Sequence, residues 1–236
     1  MASRDSLIHL HCGDAAAGVH RRSGLPGVVR ICRDSPAVGP WTPDAARLPG
    51  LRSAWWELPP DEVWEEPLLA DLAGAAEPVL WFGPDPWEQA CLLRVLAELP
   101  KGALSDLVPL DRGVALTPPA ALPGLFSERV LLDGETLVQV RSLWEGFLEG
   151  GWGVLAGCGV PALPWMARAL ARLAEDHLPE GPGRTATQIR SLLDQGVRAL
   201  PDLMARLRKL EDPRHGAWYG DRFVAKMVES MEARLG

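Results

Sequence analysis

The stretch LIHLHCGDAAAG, residues 7–18, decides the fold class of this chain. Its apolar opening residues, interrupted by two histidines two positions apart, are typical of a strand. Gly13 and Asp14 then precede a run of small helix-forming residues, which predicts a strand that enters a helix through a tight turn. In an open parallel sheet, ligands lie beyond the carboxyl ends of the strands, so this turn is a candidate binding position.

Strand and helix signals alternate through the first half of the chain. This order predicts parallel pairing with right-handed crossovers, whereas helical signals predominate after about residue 115. We therefore predict an α/β fold, with a Rossmann-like parallel-sheet domain over residues 1–120 and a mainly helical C-terminal domain over residues 121–236. The predicted strands are 7–12, 28–32, 78–82 and 107–110, and the predicted helices are 15–22, much of 44–76, 86–99, 133–147, 161–177, 185–195, 201–210 and 219–235.

Composition limits the classes of partner. The 236 residues carry a net charge of −7, and residues 161–236 hold 12 Lys and Arg against 10 Asp and Glu, so a basic face would be weak. We therefore expect no nucleic-acid partner. No run approaches the roughly 18 apolar residues of a membrane helix, and the start lacks a signal-peptide pattern, so we expect a cytoplasmic protein without membrane contact. The four cysteines lie far apart, which predicts free thiols and no metal site.

Acidic residues follow each predicted strand. Asp14, Asp34 and Asp85 come after the first three strands, and Asp111 after the fourth. Converging carboxylates could bind a ligand, although Asp14 and Asp85 also precede helices, where Asp is a favoured N-cap. With one glycine and an acid at the first turn, the ligand should be polar and not strongly anionic. The candidate ligand-binding residues are His9, His11, Gly13, Asp14, Asp34 and Asp85.

Tryptophan is unusually common, with ten Trp against one Tyr. Trp41, Trp55, Trp56 and Trp64 lie close together in the sequence. Such residues anchor cores and loops, or they form a surface that binds a protein partner. We keep both interpretations and take these four as the candidate partner surface.

Several short motifs follow one another along nearly the whole chain, and each occurs once. They are His9, Gly13 and Asp14 of a His-x-x-x-Gly-Asp-Ser motif; Asp34, Gly39 and Pro40 of Asp-x-x-His-x-Gly-Pro; Leu80, Trp81, Phe82 and Asp85 of Leu-Trp-Phe-x-His-Asp; and Arg184, Thr185 and Gln188 of Arg-Thr-Glu-x-Gln. In these motifs the chain resembles a bacterial family, the domain of unknown function numbered eighteen thirty-five. The resemblance implies the architecture rather than an activity.

Polar positions of those motifs are replaced here. Ala37 stands where the family has a loop His, Gly83 and Pro84 where it has a polar pair, and Ala186 where it has a Glu. These residues imply a chain that kept the fold and lost the chemistry, or one with a different reaction.

Three functions follow as hypotheses. The first is a non-catalytic binding or regulatory protein that holds a protein partner or a polar small-molecule ligand in the crevice or on the Trp-rich surface. The second is an enzyme acting on a nucleotide-like or phosphorylated small molecule, with Asp14, Asp34 and Asp85 as ligands or acid–base groups. The third is a DNA-binding regulator that uses the helices at 185–195 and 201–210. The sequence identifies no cofactor.

Overall fold

A computed structural model describes residues 7–59, 62, 77–100, 102–211 and 219–233. These residues form an α/β fold with one five-stranded sheet. The strands are β1 (Leu7–Cys12), β2 (Val28–Cys32), β3 (Glu77–Trp81), β4 (Asp106–Leu107) and β5 (Val130–Leu131). The helices are α1 (Gly13–Arg21), α2 (Leu48–Trp56), α3 (Pro86–Glu98), α4 (Leu122–Ser127), α5 (Gly134–Gly150), α6 (Met166–Ala174), α7 (Arg184–Asp194), α8 (Leu200–Leu210) and α9 (Asp221–Glu232).

The sheet has the strand order β2-β1-β3-β4-β5. β1 pairs in parallel with both β2 and β3, as predicted, and β3 pairs in parallel with β4. Only β5 runs antiparallel, against β4. β5 lies after residue 115, in the part of the chain where helical signals predominate. β5 has two residues, both exposed, so it is too short to give an alternating pattern.

The two faces of the sheet are covered differently. Leu10 of β1 and Leu80 of β3 belong to the larger apolar cluster, which extends through α3 and into the later helices. Val79 and Trp81 of β3 belong to a smaller cluster with residues of α1 and α4. Because side chains alternate along a strand, neighbouring residues of one strand contribute to both layers.

The larger cluster contains residues from both sides of residue 120. Leu93 on α3 is buried in it together with Val140 on α5 and Leu170 on α6. α3 packs directly on both of those helices. The division into domains at residue 120 stays a prediction, but the sheet extends past that point and the apolar core is shared.

Several helix boundaries differ from the prediction. The helix expected at 161–177 begins only at Met166, after two prolines, because proline cannot supply the N–H that continues a helix. The segment 44–76 contains α2, and its second half lies outside the described residues except for position 62. The four cysteines are free, as predicted. No described helix is both long enough and apolar enough to cross a membrane.

Candidate functional site

The predicted acidic residues do follow strands that end at one edge of the sheet. In the parallel register Cys12 is opposite Cys32, and His11 is opposite Trp81. The chain segments that carry Asp14, Asp34 and Asp85 therefore leave from the same edge. Each carboxylate, however, has a different partner, and the three do not form one shared ligand set.

Asp14 lies on the surface of the first turn of α1. Its carboxylate accepts two hydrogen bonds from Arg33, at 3.0 and 3.1 Å, and both side chains are about two-thirds exposed. The Arg33 guanidinium holds the pKa of Asp14 below its usual value. Asp14 does not cap α1, because the N-cap residue is Cys12 and no side chain caps it. Gly13 has a φ of +80°, which favours glycine at the strand-to-helix turn.

Asp34 forms a buried ion pair with Arg52. Oδ2 accepts from Nε at 2.6 Å, and Oδ1 bonds the second arm of the guanidinium. Oδ1 also accepts from Trp56 Nε1 at 3.0 Å and from the backbone N–H of Ser35 at 2.9 Å. Both carboxylate oxygens are therefore occupied within the protein. Asp34 holds the structure together and has little capacity left for a ligand.

The same ion pair holds the loop after β2. Arg52 Nη1 donates to the carbonyl oxygens of Val38 at 2.8 Å and Pro40 at 3.1 Å. From the C-terminal half, Trp152 Nε1 donates to the carbonyl of Pro36 at 3.0 Å. Hydrogen bonds to these three carbonyl groups fix the conformation of the loop, so the loop does not need a ligand to form.

Asp85 caps α3, as the sequence predicts. Its Oδ1 accepts from the backbone N–H of Glu88 at 2.9 Å, and the Glu88 carboxylate accepts from the backbone N–H of Gly83. Burial raises the pKa of Asp85 to about 6. Burial and the neighbouring Asp85 carboxyl raise the pKa of Glu88 well above its ordinary value. The pair therefore holds a proton more strongly than ordinary carboxyl groups do.

His9 and His11 share one face of β1, as expected, but they lie inside the fold. Both are 0% exposed. His9 Nδ1 accepts from Trp81 Nε1 at 3.1 Å, while its Nε2 donates to the carbonyl of Pro26 at 2.9 Å. His11 Nε2 lies 2.9 Å from Nδ1 of His20 on α1. These histidines are therefore packed between β1 and α1 and not at the edge where we expected a ligand.

Burial keeps these histidines neutral. It lowers the pKa of His9, that of His11 to about 2 and that of His20 to about 4. Among the described residues, no group of three or more His, Cys, Asp or Glu side chains is arranged to hold a metal ion. The histidine cluster is thus a packing feature that resists protonation.

The predicted tryptophan surface is partly turned inward. Trp41, Trp55 and Trp56 are half-buried, and Trp64 lies outside the described residues. Binding of a partner by these residues stays a prediction, and the observed contacts give three of them a role within the chain. The cations within 6 Å of their ring centres include Arg52 and Arg94 at Trp41, Arg52 and Arg222 at Trp56, and Lys226 at Trp55.

One cavity combines residues that the sequence singled out separately. It has a volume of about 180 Å³ and lies between the loop after β2, α2, the segment that joins α6 to α7, and α9. Ala37 and Ala186, the two alanines that the motif resemblance singled out, both line it. We call it the 37–186 cavity. Its lining residues are Ala37, Val38, Gly39, Trp55, Asp176, His177, Gly183, Thr185, Ala186, Phe223 and Met227.

Gly39 makes a close approach that shapes this cavity. Its φ is +73°, and a Cβ at this position would lie 2.5 Å from the Trp55 ring. Only glycine fits there without moving the indole. Trp55 Nε1 is buried and has no hydrogen-bond partner within the part of the chain that the structure describes.

The polar wall of the cavity is held by a network that the sequence did not reveal. Asp176 accepts from the backbone N–H of Thr185 at 2.6 Å, from its hydroxyl at 2.7 Å and from Arg172 at 2.9 Å. Arg172 also donates to both oxygens of Glu211, at 3.0 and 2.8 Å. Burial lowers the pKa of Arg172, but the bonds to Glu211 and Asp176 outweigh it and raise that pKa. Arg172 and Glu211 are 39 residues apart, so no local pattern links them.

This network corrects one capping assignment. Thr185, followed three residues later by Gln188, fits the sequence pattern of a capping box. That assignment is wrong, because the N-cap residue of α7 is Gly183 and the N–H of Thr185 is bonded by Asp176. The Asp176 carboxylate thus already occupies the N-terminal end of this helix.

Comparisons of this chain with protein-family models, with curated proteins and with solved structures found no match.

Proposed function

We propose that this chain is a non-catalytic binding protein that holds a polar, uncharged small molecule in the 37–186 cavity. The observation that supports this most is the lining itself. Ala37 and Ala186 stand where the resembling family has a His and a Glu, and both face one preformed cavity. An alanine can shape a cavity but cannot transfer a proton or bind an ion.

The acidic and basic side chains of the lining, Asp176 and His177, already make internal hydrogen bonds. Both carboxylate oxygens of Asp176 accept hydrogen bonds from the protein, and His177 Nδ1 donates to the carbonyl of Leu173 at 2.9 Å. A base that is already bonded on both oxygens is poorly placed to take a proton from a substrate. This favours binding over turnover.

The charge of the cavity favours a neutral ligand. The N-terminal end of a helix attracts anions, but here Asp176 bonds the N–H of Thr185 and supplies the negative charge. A second anion would be repelled. We also propose that residues 1–120 form a Rossmann-like domain. This is supported by the loop after β2, which lines the cavity and leaves from the carboxyl edge of the parallel strands.

A thermal-shift screen of nucleosides, nucleotides, sugars, sugar phosphates and amino-acid derivatives tests this proposal. A ligand at 100 times its Kd stabilises the native state by about 2.7 kcal/mol, which gives a measurable rise in Tm. We expect uncharged polar compounds to raise Tm. Ala186→Phe should remove that rise by filling the cavity, whereas Ala205→Phe, at an exposed position of α8, should not.

A rise that persists in Ala186→Phe would place the ligand elsewhere. If no compound in the screen raises the Tm of the wild-type chain, the proposal is wrong. Mass spectrometry of the incubated compounds should show no product.

A second candidate function is an enzyme, and the Asp85–Glu88 pair is the observation that favours it. These half-buried carboxyls have raised pKa values at the edge where ligands of parallel sheets lie. Turnover of a phosphorylated or nucleotide-like compound, abolished by Glu88→Gln, would support the enzyme over the binding protein. DNA binding has weaker support: Arg206, Arg208 and Lys209 are exposed on α8, in a chain with a net charge of −7.

A further inference from the structure

Three of the four cysteines lie together at the carboxyl edge of the sheet. Cys12 ends β1, Cys32 ends β2 opposite it in the parallel register, and Cys91 lies on α3. The Cys12 thiol donates to Cys91 Sγ at 3.7 Å, although the two residues are 79 positions apart. Two sulfur atoms at this separation are in van der Waals contact, so a disulfide bond of about 2.05 Å requires the same two atoms to come closer.

Exposure to solvent distinguishes the members of this thiol cluster. Cys12 is half-buried, whereas Cys32 and Cys91 are 0% exposed. A small oxidant therefore reaches Cys12 first, and Cys91 is the buried thiol in contact with it. Cys32 also bonds Cys91, but its own Sγ donates to the carbonyl of Asp34 at 3.2 Å and is closed off from solvent.

The surroundings of the two thiols slow their oxidation at neutral pH. The hydrogen bond with Cys91 lowers the pKa of Cys12, but burial and nearby acidic side chains outweigh it and raise that pKa to about 12. Burial raises the pKa of Cys91 as well. Because the thiolate is the reactive form of cysteine, these two thiols resist brief exposure to an oxidant and react on sustained exposure.

We propose that Cys12 and Cys91 form a reversible disulfide when the chain is exposed to a peroxide. The Cys12 thiolate attacks one oxygen of hydrogen peroxide, which breaks the O–O bond, forms a sulfenic acid on Cys12 and releases hydroxide. The Cys91 sulfur then attacks the Cys12 sulfur, and the hydroxyl group leaves as water. Overall, two thiols lose two hydrogen atoms, and one hydrogen peroxide is reduced to two water molecules. This site is independent of the ligand proposed for the 37–186 cavity.

The disulfide joins the end of β1 to the middle of α3. A covalent bond between positions 79 residues apart restricts the unfolded chain, so the oxidised protein should have the higher Tm. Cys91 Sγ also donates to the carbonyl of Asp34 at 3.5 Å. Oxidation removes this weak bond, but the Cys32 thiol still donates to the same carbonyl.

Peptide mapping by mass spectrometry tests the proposal. The folded full chain is treated with hydrogen peroxide at a pH of about 8.5, where more thiolate is present, and the remaining thiols are then alkylated in denaturant. We expect a Cys12–Cys91 peptide pair that has lost about 2 Da, with Cys32 alkylated. Dithiothreitol should restore both thiols. Cys158→Ser, which removes the other half-buried thiol, should form the same bond.

Cys91→Ser removes the thiol that would resolve the sulfenic acid. In this variant Cys12 should instead gain about 16 or 32 Da, and peroxide should no longer raise Tm. If Cys91→Ser fails to fold, the mapping of the wild-type chain still decides. A disulfide between Cys32 and Cys91, or full alkylation of Cys12 and Cys91 after peroxide has oxidised Cys158, would refute the proposal.

Discussion

Among single residues, the carboxylates at the sheet edge show how burial decides the energetic role of a charge. Asp14 and Asp34 each pair with an arginine, yet one pair lies in water and the other inside the protein. An exposed ion pair adds little to the free energy of unfolding, since water and salt screen its charges. Removing one partner of a buried pair is costly, because the other charge stays buried and unpaired.

We therefore expect Asp34→Asn to lower the free energy of unfolding by about 3–5 kcal/mol, because Arg52 would lose its counter-ion. Asp14→Asn should lower it by less than about 1 kcal/mol. Urea denaturation at pH 7 with both variants measures the difference. Similar losses in the two variants would contradict the assignment of distinct roles.

The residue scale also shows what the sequence could and could not predict about the site. The placement of Asp14, Asp34 and Asp85 at one edge was predictable, because parallel strands end together. Their partners were not, since Arg33 and Arg52 could be assigned only once the loop after β2 was placed. The Asp176–Thr185–Arg172 network was hidden for the same reason: Thr185 meets Arg172 and Asp176 only once the segment between α6 and α7 is placed.

At the scale of elements, the contact between β1 and α1 links fold stability to pH. His9, His11 and His20 all have lowered pKa values in the folded chain. The unfolded chain therefore binds more protons once the pH falls below about 6.5, the usual pKa of histidine. Stability from this contact is present above pH 6.5 and is lost as the pH falls towards 4.

We expect His20→Leu to flatten the dependence of the unfolding free energy on pH between 6.5 and 4, because one group that protonates on unfolding is removed. Val19→Ala, a change at a 6% exposed position of the same helix, should lower stability without altering that slope. Urea titrations at several pH values measure both. An unchanged slope in His20→Leu would show that His20 protonates equally in the folded and unfolded states.

Elements with a clear local sequence pattern were the most predictable part of the fold. β1 and β2 have the predicted bounds, and α3 and α8 differ from the prediction by one residue at one end. β5 was missed because a two-residue strand exists only through its pairing with β4. Tertiary contacts, not local propensity, determine such elements.

For the whole molecule, the main feature is the apolar core shared across residue 120. The buried face of α3 is covered by α5 and α6, both of which come later in the chain. A fragment without those helices would expose leucines such as Leu93, which is fully buried in the complete chain. Burial of apolar surface is the main source of folding free energy, so the first half depends on the second.

We expect the fragment of residues 1–120 to show no cooperative thermal unfolding, while the full chain unfolds in one transition. Circular dichroism and calorimetry distinguish these outcomes. Co-expression of residues 1–120 with residues 121–236 serves as the control and should restore a folded complex. Cooperative unfolding of the isolated fragment would instead support two independent domains.

The bond from Trp152 Nε1 to the carbonyl of Pro36 sets the order of events during synthesis. It joins positions 116 residues apart. A ribosome that adds about 5–20 residues per second therefore synthesises the second position roughly 6–23 s after the first. Throughout that interval the loop after β2 lacks one of its anchors. A ligand of the 37–186 cavity should thus stabilise the finished chain but not the nascent one, so its concentration would affect survival of the protein after release from the ribosome rather than during translation.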